Sequence, residues 1–212
     1  MKQGIYAAVT VSLLSTSAFA ADEIPRPNYN YIEADLVYGE LEADVGADTL
    51  NFYFTEGAAI RGSYAFDAFE DLDGELLLRG SYYTGSGEFK NTFDVDWDSW
   101  LLSAGWLIPT DDSVGIDISL DYRNDDLDFK TIGSDDASGF GMSFGLRAAP
   151  IQNLELGVRL GWYEGDYDGA VGFTVNAAYN FTEQWGVNLF WDQLNDSSDT
   201  LNQFGLGGRF YF

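Results

Sequence analysis

The sequence predicts an all-β fold: a single closed antiparallel up-and-down transmembrane β-barrel of ten strands, with eight as the alternative count if segments merge. Three observations predict it. Apolar side chains alternate with small or polar ones at period two in ten successive segments, the pattern of strands whose two faces meet different surroundings. Each arginine inside those segments falls on the face opposite the apolar one. A mid-membrane arginine on the lipid side would cost about 2–4 kcal/mol, so this segregation is what a lipid-facing wall demands. Finally, Phe204, Leu206, Phe210 and Phe212 share one face of the last segment. In water such an open strand is an aggregation hazard, whereas in a closed barrel the same face meets lipid.

Taken in order, the chain starts with Met1-Lys2, a mostly apolar stretch at 4–14, and Ala18-Phe19-Ala20 before Ala21. This small-x-small site after a short apolar run predicts a signal peptide at 1–20, removed on export, and leaves 21–212 as one barrel domain. Residues 21–29, with Arg26, form a short lead. Strands are expected near 30–42, 57–68, 76–84, 99–108, 113–123, 139–149, 153–163, 170–181, 185–193 and 203–212. Trp100, Leu102, Ala104, Trp106 and Ile108 against Leu101, Ser103 and Gly105 is one of the clearest; Val114 to Arg123 and Leu154 to Trp162 alternate as regularly. Phe52, Phe54, Ala58, Ile60 and Tyr64 keep one phase, so a start of strand two near 52 stays open. Short links at 69–75, 109–112, 150–152 and 182–184 alternate with longer polar ones at 43–56, 85–98, 124–138, 164–169 and 194–202. Short turns on one side and long loops on the other are the habit of membrane barrels, and an even strand count returns both ends to one side.

Strand phase also locates the charges. Arg61, Arg79, Arg123, Arg147, Arg159 and Arg209 are expected in the lumen with Glu33, Asp35, Asp117, Asp121, Glu155 and Asp192. Regular hairpins set Arg147 opposite Glu155 and diagonal to Asp117, and closure of the last strand on the first brings Arg209 towards Glu33 and Asp35. Cross-strand pairs of opposite charge stabilise a sheet. Two readings of this network stand: a plug that satisfies a small lumen, or a selectivity-setting constriction in a narrow channel. Inward glycines such as Gly105, Gly145 and Gly157 leave space for a pore or make room for the arginine side chains. Trp100, Trp106, Trp162, Trp185, Trp191, Tyr38, Tyr82, Tyr179, Phe181 and Phe212 fall near outward strand ends. They read as interfacial girdles, with an aromatic ligand platform as the alternative.

The longer links are acidic, among them Glu42, Glu56, Asp94, Asp96, Asp98, Asp125, Asp126, Asp128, Asp135, Asp136, Glu164 and Asp166, against Lys90 and Lys130 alone. This reads as a repulsive solvated surface, open to diffuse bridging by divalent cations. Asp94-Val95-Asp96-Trp97-Asp98 offers oxygens to Ca²⁺ but lacks the glycine and distal glutamate of an EF-hand loop, so no metal or cofactor is assigned. The formal charge of −25 argues against nucleic acid as a partner. With no cysteine, disulfides and thiolate metal sites are excluded, and with no histidine so is every design that uses one as base. No Gly-rich phosphate loop or H-E-x-x-H appears.

The alternating strands, inward charges and the ending with Gly207, Phe210 and Phe212 resemble the small bacterial outer-membrane β-barrels, the OmpA-like and OmpX-like proteins. The resemblance covers 21–212 and departs from the eight-stranded members in strand count. It implies an outer-membrane location, contact with membrane lipids and lipopolysaccharide, and recognition of the last strand by the barrel-assembly machinery through Gly207, Phe210 and Phe212. Barrel enzymes of this kind, proteases, acyltransferases and esterases, use a catalytic histidine, so a non-enzymatic barrel is expected. Its role is structural or surface-interacting, or alternatively that of a narrow passive, porin-like channel for small solutes. A soluble lipocalin-like barrel, with the apolar phase turned inwards, is the third class.

Overall fold

A computed structural model describes residues 27–45, 48–68, 73–89, 93–110, 113–130, 133–197 and 199–212. The expected signal peptide, Arg26 and Lys90 lie outside the described residues. Ten strands follow one another: β1 Tyr31–Val45, β2 Asp48–Phe66, β3 Glu75–Phe89, β4 Phe93–Pro109, β5 Val114–Phe129, β6 Gly133–Ile151, β7 Leu154–Tyr163, β8 Ala170–Asn180, β9 Trp185–Asn195 and β10 Asp199–Tyr211. Each pairs antiparallel with the next, and β10 closes on β1 from Tyr31↔Tyr211 to Ala43↔Asp199, giving a closed ten-stranded barrel. Closure pairs every strand on both sides and so removes sheet edges through the spanning band, the condition for placing strands in lipid.

The expected phase holds through that band. Leu36, Leu120 and Phe140 point outwards at 68, 66 and 72% exposure, while Glu33, Asp117 and Arg209 on the opposite phase are buried. The soluble alternative, which needs the apolar phase inside, is therefore corrected. Two aromatic girdles frame the band. At one level Trp100 packs on Tyr122, Tyr122 on Phe140, and Trp191 stacks on Phe204. At the other, Tyr64 stacks on Phe212, Trp185 packs on Phe210 and Tyr179 on Phe181.

The longer links differ from expectation. Most of 43–56, 85–98 and 124–138 is strand, so β1 to β6 run 15 to 19 residues where a tilted span needs about 9–11. Three tall hairpins thus rise beyond the girdle, while β7 to β9, of 10 and 11 residues, stay close to span length. The polarity of the two faces reverses there. Val95 and Trp97 face inwards and are buried, and Asp94, Asp96 and Asp98 alternate with them on the outside. Above the lipid the outer face meets water and the inner face must form an ordinary apolar core, so Asp94–Asp98 is strand and not a loop of cation ligands.

Two bulges correct the register. Val37↔Gly57 is followed by Gly39↔Phe54, and Phe54↔Gly87 by Glu56↔Ser86, which leaves Thr55 as an extra residue in β2. That residue flips the phase, so Phe52 and Phe54 point inwards while Ala58, Ile60 and Tyr64 point outwards. The five do not share a face, and β2 starts at Asp48. The β6–β7 turn lies at 152–153, with Ile151 paired to Leu154, and this together with a second irregularity between Ala148 and Ile151 sets Arg147 opposite Gly157 and not Glu155.

Candidate functional site: a filled lumen

From the short-turn end upwards, the lumen closes in layers. At the floor, Tyr29 in the segment before β1 folds under the barrel with Ala65, Leu77 and Leu107. The Asn30 side-chain oxygen accepts from Ala65 N at 2.6 Å, and Phe212 N donates to Asn30 O at 3.2 Å, so the lead is tied to both β2 and β10. Arg147 crosses this floor. It donates to Asn28 O at 3.1 Å and to the Tyr31 hydroxyl at 3.2 Å, and its guanidinium lies 4.6 Å from the Tyr29 ring centre. Burial pushes the Tyr29 hydroxyl up to about 12 despite the neighbouring Arg147 charge, so it stays a neutral phenol through the physiological range.

Above the floor lies the ion network. Arg209 Nε donates to Glu33 Oε2 at 2.7 Å, both side chains being 1% exposed, across the seam where β10 closes on β1. Arg61 meets Glu33 at 2.8 Å and Asp35 at 3.1 Å, with Asp192 at 3.9 Å. Glu155 lies 3.9 Å from Arg147 and 3.8 Å from Arg209. On the far wall Asp117 takes two arginines, Arg79 and Arg159, each at 2.8 Å. Arg159 also donates to the Ser143 hydroxyl at 2.8 Å, and Arg79 to that of Ser119. Each buried charge here is held by an opposite one, the condition under which ions are tolerated away from water.

Of the expected luminal residues, these eleven come together in pairs or larger groups once Arg123 is added, which bonds Asp125 at 2.7 Å. Asp121 is the exception. It is 3% exposed and neither carboxylate oxygen has a hydrogen-bond partner among the described residues. Arg147 does not reach Asp117, although the two stand on diagonal positions of neighbouring strands. Gly207 faces the lumen beside Asp35, while Phe210 and Phe212 lie in the outward girdle.

Asp125, expected in an outer link, points inwards because β5 continues to Phe129. Its second partner is the Tyr167 hydroxyl, which donates to it at 2.6 Å from the link between β7 and β8. Burial, reinforced by the Asp125 charge, holds that hydroxyl well above its ordinary range. This tether folds the 164–169 link over the low side of the barrel. Above it the first two tall hairpins supply a roof, Val37, Phe52, Phe54, Tyr83, Val95 and Trp97, with Leu127 and Phe129 of the third packed against it and Phe190 and Leu201 from the low side. Trp97 lies 4.3 Å from Tyr83 and 5.2 Å from Phe54 by ring centres and is 2% exposed. The signal for this roof was present in the alternation of Val95 and Trp97 with aspartates.

The luminal glycines are filled by their neighbours. A side-chain carbon at Gly145 would collide with Asp117 and approach Arg159 to 2.8 Å, and one at Gly115 would meet the Tyr29 hydroxyl. They make room for the network. Two small cavities remain, of about 140 Å³ beside Arg61, Arg79 and Arg147, and about 90 Å³ beside Arg123, Tyr163 and Gln203. Among the described residues no group of three acidic, histidine or cysteine side chains is arranged to hold a metal ion.

No protein-family model matches the chain, and no curated protein matches its sequence. Solved structures do match by fold. An outer-membrane channel from Pseudomonas putida F1 is 11% identical with a TM-score of 0.51, over 92% of this chain and 100% of that one. The translocator domain of the autotransporter NalP from Neisseria meningitidis is 15% identical with a TM-score of 0.47, over 88% and 89%. The attachment invasion locus protein Ail of Yersinia pestis is 12% identical with a TM-score of 0.40, over 86% and 99%. The fold is that of the bacterial outer-membrane β-barrels. At these identities the likeness is one of architecture, and activity has to be argued from the lumen itself.

Proposed function

We propose that this chain is a non-enzymatic integral barrel of the bacterial outer membrane, with a closed lumen, acting as a structural element that presents acidic hairpins to the outside. The short turns then face the periplasm and the tall hairpins the exterior. Lipids and lipopolysaccharide surround the girdled band, and the closing strand with Gly207, Phe210 and Phe212 serves recognition by the barrel-assembly machinery. The observation that carries the reading is triple closure of the lumen: the Tyr29–Leu77–Leu107 floor, the arginine–carboxylate network and the Trp97–Phe54 roof.

The test is conductance of the purified protein in planar bilayers. We expect no steady current. A steady current that changes when Arg147 or Arg159 is replaced overturns the closed-lumen reading. In that event the second reading, a narrow passive channel for small solutes, takes its place. What favours it is the succession of two cavities along the lumen, both bordered by Arg61, Arg159 and Asp192.

A further inference from the structure

The lipid-facing wall is not uniformly convex. From β9 through β10, β1, β2 and β3 to β4, at the level of the Thr55 bulge, it carries an open groove of about 910 Å³. Three of its lining residues are inward-phase glycines, Gly57, Gly85 and Gly205, at which the wall is bare backbone. Inside, large rings take the place of the missing side chains: a side-chain carbon on Gly57 or Gly85 would run into Tyr83, and one on Gly205 into Phe190. The apolar roof therefore pulls the wall onto itself, and the concavity outside is the other side of that packing.

The groove has two chemically distinct parts. Its body is apolar, formed by Leu36, Ala58, Leu189, Phe204 and Leu206, of which Leu36, Leu189, Phe204 and Leu206 are more than half exposed. At its upper end stand Glu56, Asp96 and Asp98. Their neighbourhood adds further negative charge, because Asp128 lies directly opposite Asp96 and Asp126 directly opposite Asp98 on β5. Lys130 bridges Asp96 at 3.1 Å, and Asp98 accepts from the Tyr82 hydroxyl at 2.7 Å, which leaves the patch strongly anionic. The carboxylates sit just beyond Tyr38 and Phe204 of the girdle, at headgroup depth, while Leu36 and Leu206 lie below them at the depth of acyl chains.

We propose that this groove is a lipid site selective for an amphiphile with a cationic head: an acyl chain lies along Leu36, Ala58 and Leu206, and an ammonium group is held by Glu56, Asp96 and Asp98. An anionic headgroup is repelled from the same position, and a neutral one gains nothing from it. The site rests on the membrane placement proposed above and is independent of whether the lumen conducts.

The experiment uses the folded barrel in phosphatidylcholine nanodiscs, with two spin-labelled lipids of equal chain length, one carrying an ammonium head and the other a phosphate head. The readout is the motionally restricted fraction of each. Restriction of any lipid reports membrane placement, and the ratio between the two probes reports the groove. We expect the ammonium probe to be preferred by about fivefold or more at low salt, falling as salt rises. The preference should vanish in the triple variant Glu56→Gln, Asp96→Asn, Asp98→Asn. Ala58→Phe, which fills the groove and leaves the acids in place, should remove it as well. Heat-modifiability on gels checks that each variant remains a barrel. Equal restriction of the two probes in the unmodified protein overturns the proposal. So does a preference that survives the triple variant, or one that Ala58→Phe leaves untouched, because the charges would then act without the groove.

Discussion

Along β2, Arg61 and Ser63 face the lumen at the level of the girdled band, while Phe52 and Phe54, nearer the start of the same strand, face it above the band. β1 repeats the change from Glu33 and Asp35 to Val37, and β5 from Asp117 to Leu127 and Phe129. The inward phase of one sheet is thus ionic in one half of the molecule and apolar in the other. The difference follows from what lies on the far side of the wall. Where the outer face meets lipid it is already apolar, so the interior can be filled with polar groups provided that each is paired. Where the outer face meets water and carries aspartates, hydrophobic burial between hairpins is the available cohesion, and the inner face supplies it. The lower half is held by specific partners, and the upper half by packing.

That contrast can be broken most severely at Asp117. Asp117→Ala leaves both Arg79 and Arg159 without their carboxylate in a buried site, and removing one member of a buried pair costs about 3–5 kcal/mol. Urea unfolding in detergent should show a loss at the upper end of that range or beyond. Asp121→Asn, four residues away on the same face, removes no ion pair among the described residues and should leave the midpoint close to that of the unmodified protein. In the upper half Trp97→Ala deletes the central roof ring, with an expected loss of about 3–5 kcal/mol from the cavity created. If packing and pairing are independent, the Asp117 and Trp97 losses add, and a double variant tests that in the same assay. The smallest effect is of opposite sign. Asp126→Asn relieves a like-charge pair with Asp98 on the outer face and should stabilise by about 0.2–1 kcal/mol, more at low salt, measured by thermal unfolding in two salt concentrations.

How much of this was legible depends on the kind of information each feature needs. The outward face of the band was readable because lipid imposes the same demand at every alternate position, and the approach of Arg209 to the Glu33 and Asp35 end of β1 followed from strand phase and barrel closure, the structure selecting Glu33. The failures occurred where one residue changes the phase. Thr55 inverts β2 above it, and the β6–β7 turn, closing at Ile151↔Leu154 with an irregularity after Ala148, sets Arg147 opposite Gly157 in place of Glu155, although neither carries a mark in the sequence. The acids of the tall hairpins suggest solvent and links, yet Val95 and Trp97 keep period two among those aspartates. Asp125 illustrates the same error, with its inward direction fixed by the continuation of β5 and its partner Tyr167 by the fold of a separate link.

By itself, the sequence determined the barrel, the direction in which each spanning side chain points and the sign of charge on each surface, because alternation and the cost of burying charge act locally at every position. Only the tertiary structure decided which carboxylate each arginine holds, that Asp121 has no partner among the described residues, and that aromatic rings from three hairpins meet over the lumen. Those outcomes depend on register, bulges and closure, which set distances between residues far apart in the chain. The lateral groove belongs with them: it exists because Tyr83 and Phe190, inside the wall, occupy the space that glycines on neighbouring strands leave open.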